Sequence, residues 1–110
     1  MDNSTILLKA ADYIEQYGWY QYDYGNDHTV DKPACCPMGA IASVMFGKCP
    51  TETPEDPAFE SVLDDLCEYL FEFEDRYMGY PVDLISTWND AKDQTKSVVV
   101  DTLRKAGAID

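Results

Sequence analysis

Apolar residues recur at helical spacing along much of the chain, and the stripes they form predict its elements. Ile6, Leu7, Ala10, Ile14 and Tyr17 follow one another at steps of three and four, with Asp12 and Glu15 facing outward. That pattern predicts an amphipathic first helix. Ser4 is its expected cap, and Gly18 is expected to end it in the left-handed conformation. Pro37 suits the opening of a second helix, where a missing N–H is no loss. Gly39-Ala40-Ile41-Ala42-Ser43-Val44-Met45-Phe46 follows and Gly47 can stop it; the small residues would admit a second helix at close range. Asp56 and Pro57 read as the cap and first residue of a third helix. Phe59, Val62, Leu63, Leu66, Leu70, Phe73 and Tyr77 then keep the period for about five turns, to Gly79 and Pro81. Val82 to Trp88 fits a short helix or an extended segment, and the helix is preferred. Thr95 caps a final helix with Val98, Val99, Leu103 and Ala106 inward and Gly107 at its exit. Three successive valines are poor helix formers, so burial has to decide that segment.

Two stretches break the pattern. Trp19-Tyr20-Gln21-Tyr22-Asp23-Tyr24, the turn cluster Gly25-Asn26-Asp27 and His28-Thr29-Val30 predict a short β-hairpin near residues 19–31, with an irregular Tyr-rich loop as the alternative. Residues 50–57 hold three prolines and read as a connecting loop. The fold class expected is mainly α: a single acidic domain over residues 1–110, with about four helices around one core. A chain of 110 residues is near the common size of one domain, and no apolar run approaches the ~20 residues of a membrane span. Met1-Asp2-Asn3-Ser4-Thr5 lacks a basic region followed by an apolar stretch, so a signal peptide is not expected and the cytoplasm is the expected location. Reduced thiols are then expected at Cys35, Cys36, Cys49 and Cys67.

Charge changes the picture most. The chain has 21 acidic and 8 basic residues, for a net charge of −13. Residues 1–91 carry 18 acids against 4 bases, whereas residues 92–110 carry 3 against 4. Binding to phosphate requires a basic patch. None is visible, so direct binding to nucleic acid or to an anionic membrane is not expected. A basic or nucleic-acid-binding partner protein is. Glu60, Asp64, Glu68 and Glu72 lie four apart on the third helix, about 6 Å per step along its axis. Like charges at that spacing cost a few tenths of a kcal/mol each, which is the price of an electrostatic docking stripe, or simply of a solvated helix face. Imitation of a phosphate backbone would need further acids, such as Asp12 and Glu15, aligned beside the stripe. Trp19, Tyr20, Tyr22 and Tyr24 offer large area at low entropic cost, which suits interface anchors or one packed side of a hairpin.

Several motifs, in order, resemble a family of small uncharacterised domains from actinobacteria and their phages. They are Gly18-Trp19-x-Gln21, Cys36-x-x-Gly39-Ala40-Ile41, Trp88-Asn89-Asp90, and Thr95-x-x-Val98 leading to Leu103-Arg104-x-Ala106. Residues 47–80 stay unmatched, and the vicinal Cys35 with its flanking prolines departs from the pattern. The resemblance implies a one-domain bacterial or phage protein and transfers no catalytic residue. Trp88-Asn89-Asp90 reads as a core anchor followed by caps for the last helix, or as a small polar site.

Other chemistry is thinly marked. His28, Cys35 or Cys36, and Cys49 could in principle meet around zinc, but the usual Cys-x-x-Cys knuckle is absent. Cys67 falls on the buried stripe, where a thiol acts as a small hydrophobe. Asp23 to Asp31 fails as a calcium loop, having His28 where glycine is required. A Cys–His pair has no orienting third group, and neither a phosphate loop nor a hydrolase motif is present. The expectation is therefore a non-enzymatic interaction protein with no cofactor and no metal. It would use Glu60, Asp64, Glu68, Glu72, Trp19, Tyr20, Tyr22 and Tyr24 on a basic host protein, and could inhibit that protein as a nucleic-acid mimic. A small-molecule- or metal-binding domain built on the Tyr segment and Cys35/Cys36 is the alternative.

Overall fold

Helix caps set the frame. The Asp2 carboxylate accepts from Thr5 N at 2.8 Å and opens α1, Asn3–Tyr17. The cap is thus Asp2, not Ser4, which lies inside the first turn. Hydrogen bonds from the Thr5 side chain and amide hold the Asp2 carboxyl below its usual range. The Cys36 sulfur accepts from Gly39 N at 3.3 Å and Pro37 takes the first position of α2, Pro37–Phe46. The Asp56 carboxylate accepts from Ala58 N and Phe59 N ahead of α3, Pro57–Leu70. Pro81 begins α4, Pro81–Asn89, and the Thr95 hydroxyl caps α5, Lys96–Gly107. The computed structural model describes residues 1–71 and 79–108. Among these there are five helices and no strand. Phe73, Tyr77 and Glu72 lie outside the described residues, and α3 ends at Leu70, with Phe71 extended after it.

The stripes meet as one core. α1 packs against α5, α2 and α3, and α3 packs in turn against α4. Leu7, Ile14, Ile41, Phe59, Leu63, Leu66, Ile85 and Leu103 are fully buried, each removing an apolar side chain worth about 1.5–3 kcal/mol from water. Cys67 is buried with them. Tyr17 is exposed and Tyr13 takes the inward place, its ring tilted at 56° against that of Tyr17 with centroids 4.8 Å apart. On α5, Val98 faces out and Val100 faces in. The valine run thus presents a different pair to the core from the one spacing suggests, while burial does carry it into a helix. Gly107 is the last residue of α5, at its exit as expected. A Cβ there would stand 2.8 Å from Leu8 Cγ and 2.9 Å from Ser4 O, so its missing side chain lets α5 close on α1. No described helix is long and apolar enough to cross a membrane.

The expected hairpin is replaced by a loop clamped at both ends. Cys35 N donates to Gly18 O and Tyr20 N donates to Cys35 O, each at 3.1 Å. Farther on, Cys36 N donates to Tyr24 O and Asn26 N to Ala34 O. Residues 19–25 therefore pair with Cys35 through two isolated bridges, and not with residues 28–30. Local side chains explain the change. Asp27 Oδ1 accepts from the amide and hydroxyl of Thr29, and Asp23 Oδ1 accepts from Tyr24 N. Tyr22 has φ 75°. Such turns compete with a ladder, and a left-handed Tyr22 interrupts any extended run.

Candidate functional site

Three of the short motifs converge on this loop. Trp19 Nε1 donates to Asn89 Oδ1 at 2.7 Å, and Asn89 Nδ2 donates to Tyr20 O at 3.1 Å. Gln21 Nε2 reaches the carbonyls of Asn89 and Ala91 at 2.9 and 3.1 Å. Tyr22 N donates to Asp90 Oδ1 at 2.8 Å. Gly39 completes the junction, because a Cβ there would fall 2.0 Å from Tyr24 O. Asn89 is 1% exposed and makes bonds through both ends of its amide, as a buried polar group must. Asn89 and Asp90 thus hold the Tyr loop, while the cap of the last helix is Thr95 alone. Trp19 is half-buried, packed on the core and committed to Asn89, so it organises the loop and does not stand out from it. Tyr20 is exposed, and Tyr22 is 76% exposed while its hydroxyl donates to Asp90 O at 3.4 Å.

Beside the junction lies a cavity of about 180 Å³ lined by Tyr22, Asp23, Tyr24, Cys36, Met38, Ser86, Asn89 and Asp90. Among the described residues its charged lining groups are the carboxylates of Asp23 and Asp90. The Tyr24 hydroxyl bonds the Thr53 hydroxyl, and burial, the largest influence on it, raises its pKa. Thr53 in turn lines a second cleft with Glu60, Leu63, Asp64, Tyr80, Val82 and Asp83. The Tyr24–Thr53 contact therefore links the Tyr segment to the cleft that Glu60 and Asp64 line. Neither Glu60, Asp64 nor Asp83 is paired with a lysine or arginine among the described residues. Glu68 lies a turn farther on, on another cleft with Ser4 and Asp65, and Asp65 accepts from Asn3 Nδ2 at 2.9 Å. Glu72 lies outside the described residues. Arg104, by contrast, meets Asp12 at 3.4 Å and Glu15 at 3.6 Å, and Lys105 meets Asp101 at 2.8 Å. The bases of α5 are thus spent on α1 and on α5 itself.

Cys36 is not placed for nucleophilic work: its sulfur caps α2 by accepting from Gly39 N. Burial pushes the Cys36 thiol up to about 12, the reverse of activation. His28 contacts Asp23 at 3.5 Å, and its Nδ1 is buried with no partner; neither Cys35 nor Cys36 bonds it among the described residues. No group of three or more His, Cys, Asp or Glu side chains among the described residues could hold a metal ion. Tyr80, which is 78% exposed, and Asp83 were not marked as site residues by sequence spacing. Tyr80 lies within, and Asp83 just after, a Gly79-x-Pro81 break that reads as a helix boundary and nothing more.

Residues 1–109 match the model of a family of unknown function, DUF6197. No curated protein and no solved structure matches the chain.

Proposed function

The chain belongs to DUF6197, a family of unknown function, and we propose that it acts without catalysis, as an acidic docking protein for a basic surface of a partner protein. The observation that carries this reading is the uncompensated charge of Glu60 and Asp64, beside exposed Tyr80 and the Tyr loop, in a chain of net charge −13. Carboxylates supply steering and register, which act mostly on association rate and specificity. Tyr22 and Tyr80 supply the aromatic anchors, and Trp19 contributes by holding the loop. Asp83 extends the charged surface. A host protein is the partner class, on the resemblance to actinobacterial and phage domains, and the cytoplasm is where the two would meet. The narrower reading, imitation of nucleic acid, would also recruit Asp12 and Glu15. Their contacts with Arg104 favour plain docking.

Capture of host proteins on the immobilised chain, followed by kinetics on the purified partner, tests the proposal. Wild type is expected to bind a basic protein at low salt and release it as salt rises. Substituting E60Q and D64N together is expected to slow association about tenfold while leaving the fold intact, since relief of the i,i+4 repulsion offsets the loss of the Glu60 charge from the first turn of α3. Equal association rates for variant and wild type would reject docking through α3. The cavity between Tyr22, Cys36 and Asp90 favours one second reading, a small-molecule site. A bound mass retained in native mass spectrometry of the protein as purified would speak for it.

A further inference from the structure

Cys35 and Cys49 lie 14 positions apart in sequence, yet their sulfurs approach to 3.5 Å in the buried base of the Tyr loop. We propose that this pair is a site of reversible disulfide formation that fastens the end of α2 to the clamp of the Tyr loop. The proposal stands independently of the docking role.

Several observations select this pair. A disulfide needs its sulfurs at about 2.05 Å, so they must close by roughly 1.5 Å, within reach of side-chain rotation. Cys36 is adjacent in sequence but turns its sulfur to Gly39 N, and Cys67 on α3 places its own near Pro81 O at 3.7 Å. Gly25 leaves the space the pair occupies: a Cβ there would lie 2.7 Å from Cys49 Sγ. Access is one-sided. Cys49 is 6% exposed and lines an open cleft with Phe46, Lys48 and Pro50, whereas Cys35 is fully buried behind it. An incoming disulfide would meet Cys49 first, leaving Cys35 to resolve.

The oxidant is a low-molecular-weight disulfide, for which glutathione disulfide is the probe. Cys49 gives up its proton and its thiolate attacks one glutathione sulfur. That bond breaks, a mixed disulfide forms, and the released glutathione thiolate takes up a proton. Cys35, deprotonated in turn, attacks the Cys49 sulfur and displaces the second glutathione. Two protein thiols lose two electrons in all, and one glutathione disulfide becomes two glutathione thiols. Burial raises both thiols' pKa values, so the exchange is slow at neutral pH and speeds up about tenfold per pH unit while thiolate remains scarce. The bond would close a loop holding the whole of α2.

Incubating the native chain with glutathione disulfide at mildly alkaline pH, then weighing it and mapping its peptides, provides the test. The expected product has lost about 2 Da, carries a Cys35–Cys49 link and no retained glutathione, and melts about 10–15 °C higher until a dithiol reductant reverses it. C35A is expected to stop at a stable glutathione adduct on Cys49, and C49A to react at neither site. The mapping in wild type does not depend on how well either variant folds. An unchanged mass after prolonged incubation, a link through Cys36 or Cys67, or a persistent Cys49 adduct in wild type would each overturn the proposal.

Discussion

Asn89 shows how much one buried polar residue can decide. Its amide oxygen takes the Trp19 indole N–H, and its nitrogen serves Tyr20 O and Asp90 Oδ1. Removing one partner from a buried hydrogen bond costs more than the bond contributes, because the orphaned group stays out of water. N89A strands both the indole N–H and the Tyr20 carbonyl and leaves a void. It is expected to lower unfolding free energy by about 3 kcal/mol and to change the emission of Trp19, both readable in one urea titration followed by fluorescence. A loss under about 1 kcal/mol would mean that water replaces the amide and that the loop is not hung on Asn89. The sequence offered little warning of this role. An Asn-Asp pair after a Trp has the composition of a cap, and its true partners, Trp19 to Tyr22, lie about 70 positions earlier. What the sequence does show is a set of short motifs that resemble those of a family of small domains, and three of these meet at the one junction.

Among elements, the boundaries carried by local chemistry were legible and the packing was not. Pro37, Asp56-Pro57 and Thr95 start helices where their side chains and rings predict, since each start is a contact within three residues, whereas the caps Asp2 and Cys36 were not foreseen. The inward set of α5 and the rejected hairpin depended on distant neighbours. So did Gly39. As one of the small residues of α2 it was expected to admit another helix, but what lies against it is the carbonyl of Tyr24. G39A places a methyl 2.0 Å from that oxygen, closer than any relaxed contact, and backbone atoms cannot swing aside as a side chain can. Overpacking of this kind is expected to cost about 2–3 kcal/mol, measured by chemical unfolding, with faster amide exchange at Cys36, whose N–H is held by the same carbonyl. Unchanged protection at Cys36 would show that the loop absorbs the methyl elsewhere. Residues 50–57, read as a connector, do serve as one, but Thr53 within them joins the Tyr loop to the acidic cleft. Only the folded chain brings that threonine near Tyr24.

At the scale of the whole molecule, the question is whether net charge acts as a field or is cancelled pair by pair. Principal extents of 39 × 32 × 25 Å are comparable to the Debye length of about 30 Å at 0.01 M salt and much larger than the 3 Å at 1 M. In dilute buffer each carboxylate therefore feels most of the others. Adding salt screens two opposed contributions. The contacts of Arg104 with Asp12 and Glu15, and of Lys105 with Asp101, lose attraction, but exposed pairs of this kind contribute only about 0–1 kcal/mol each. Repulsion among the excess acids is also relieved, and with a net charge of −13 it outnumbers those pairs. The balance predicts that sodium chloride stabilises the fold, raising Tm by several degrees between about 0.01 and 0.5 M. The E60Q and D64N double variant should start higher and rise less, since part of the repulsion is already gone. Chloride is the right anion because sulfate would add a stabilisation of its own by exclusion from the surface. A Tm that falls with sodium chloride would mean that attraction between paired charges dominates. The acidic surface would then be neutralised within the molecule, with little potential left to draw a basic partner.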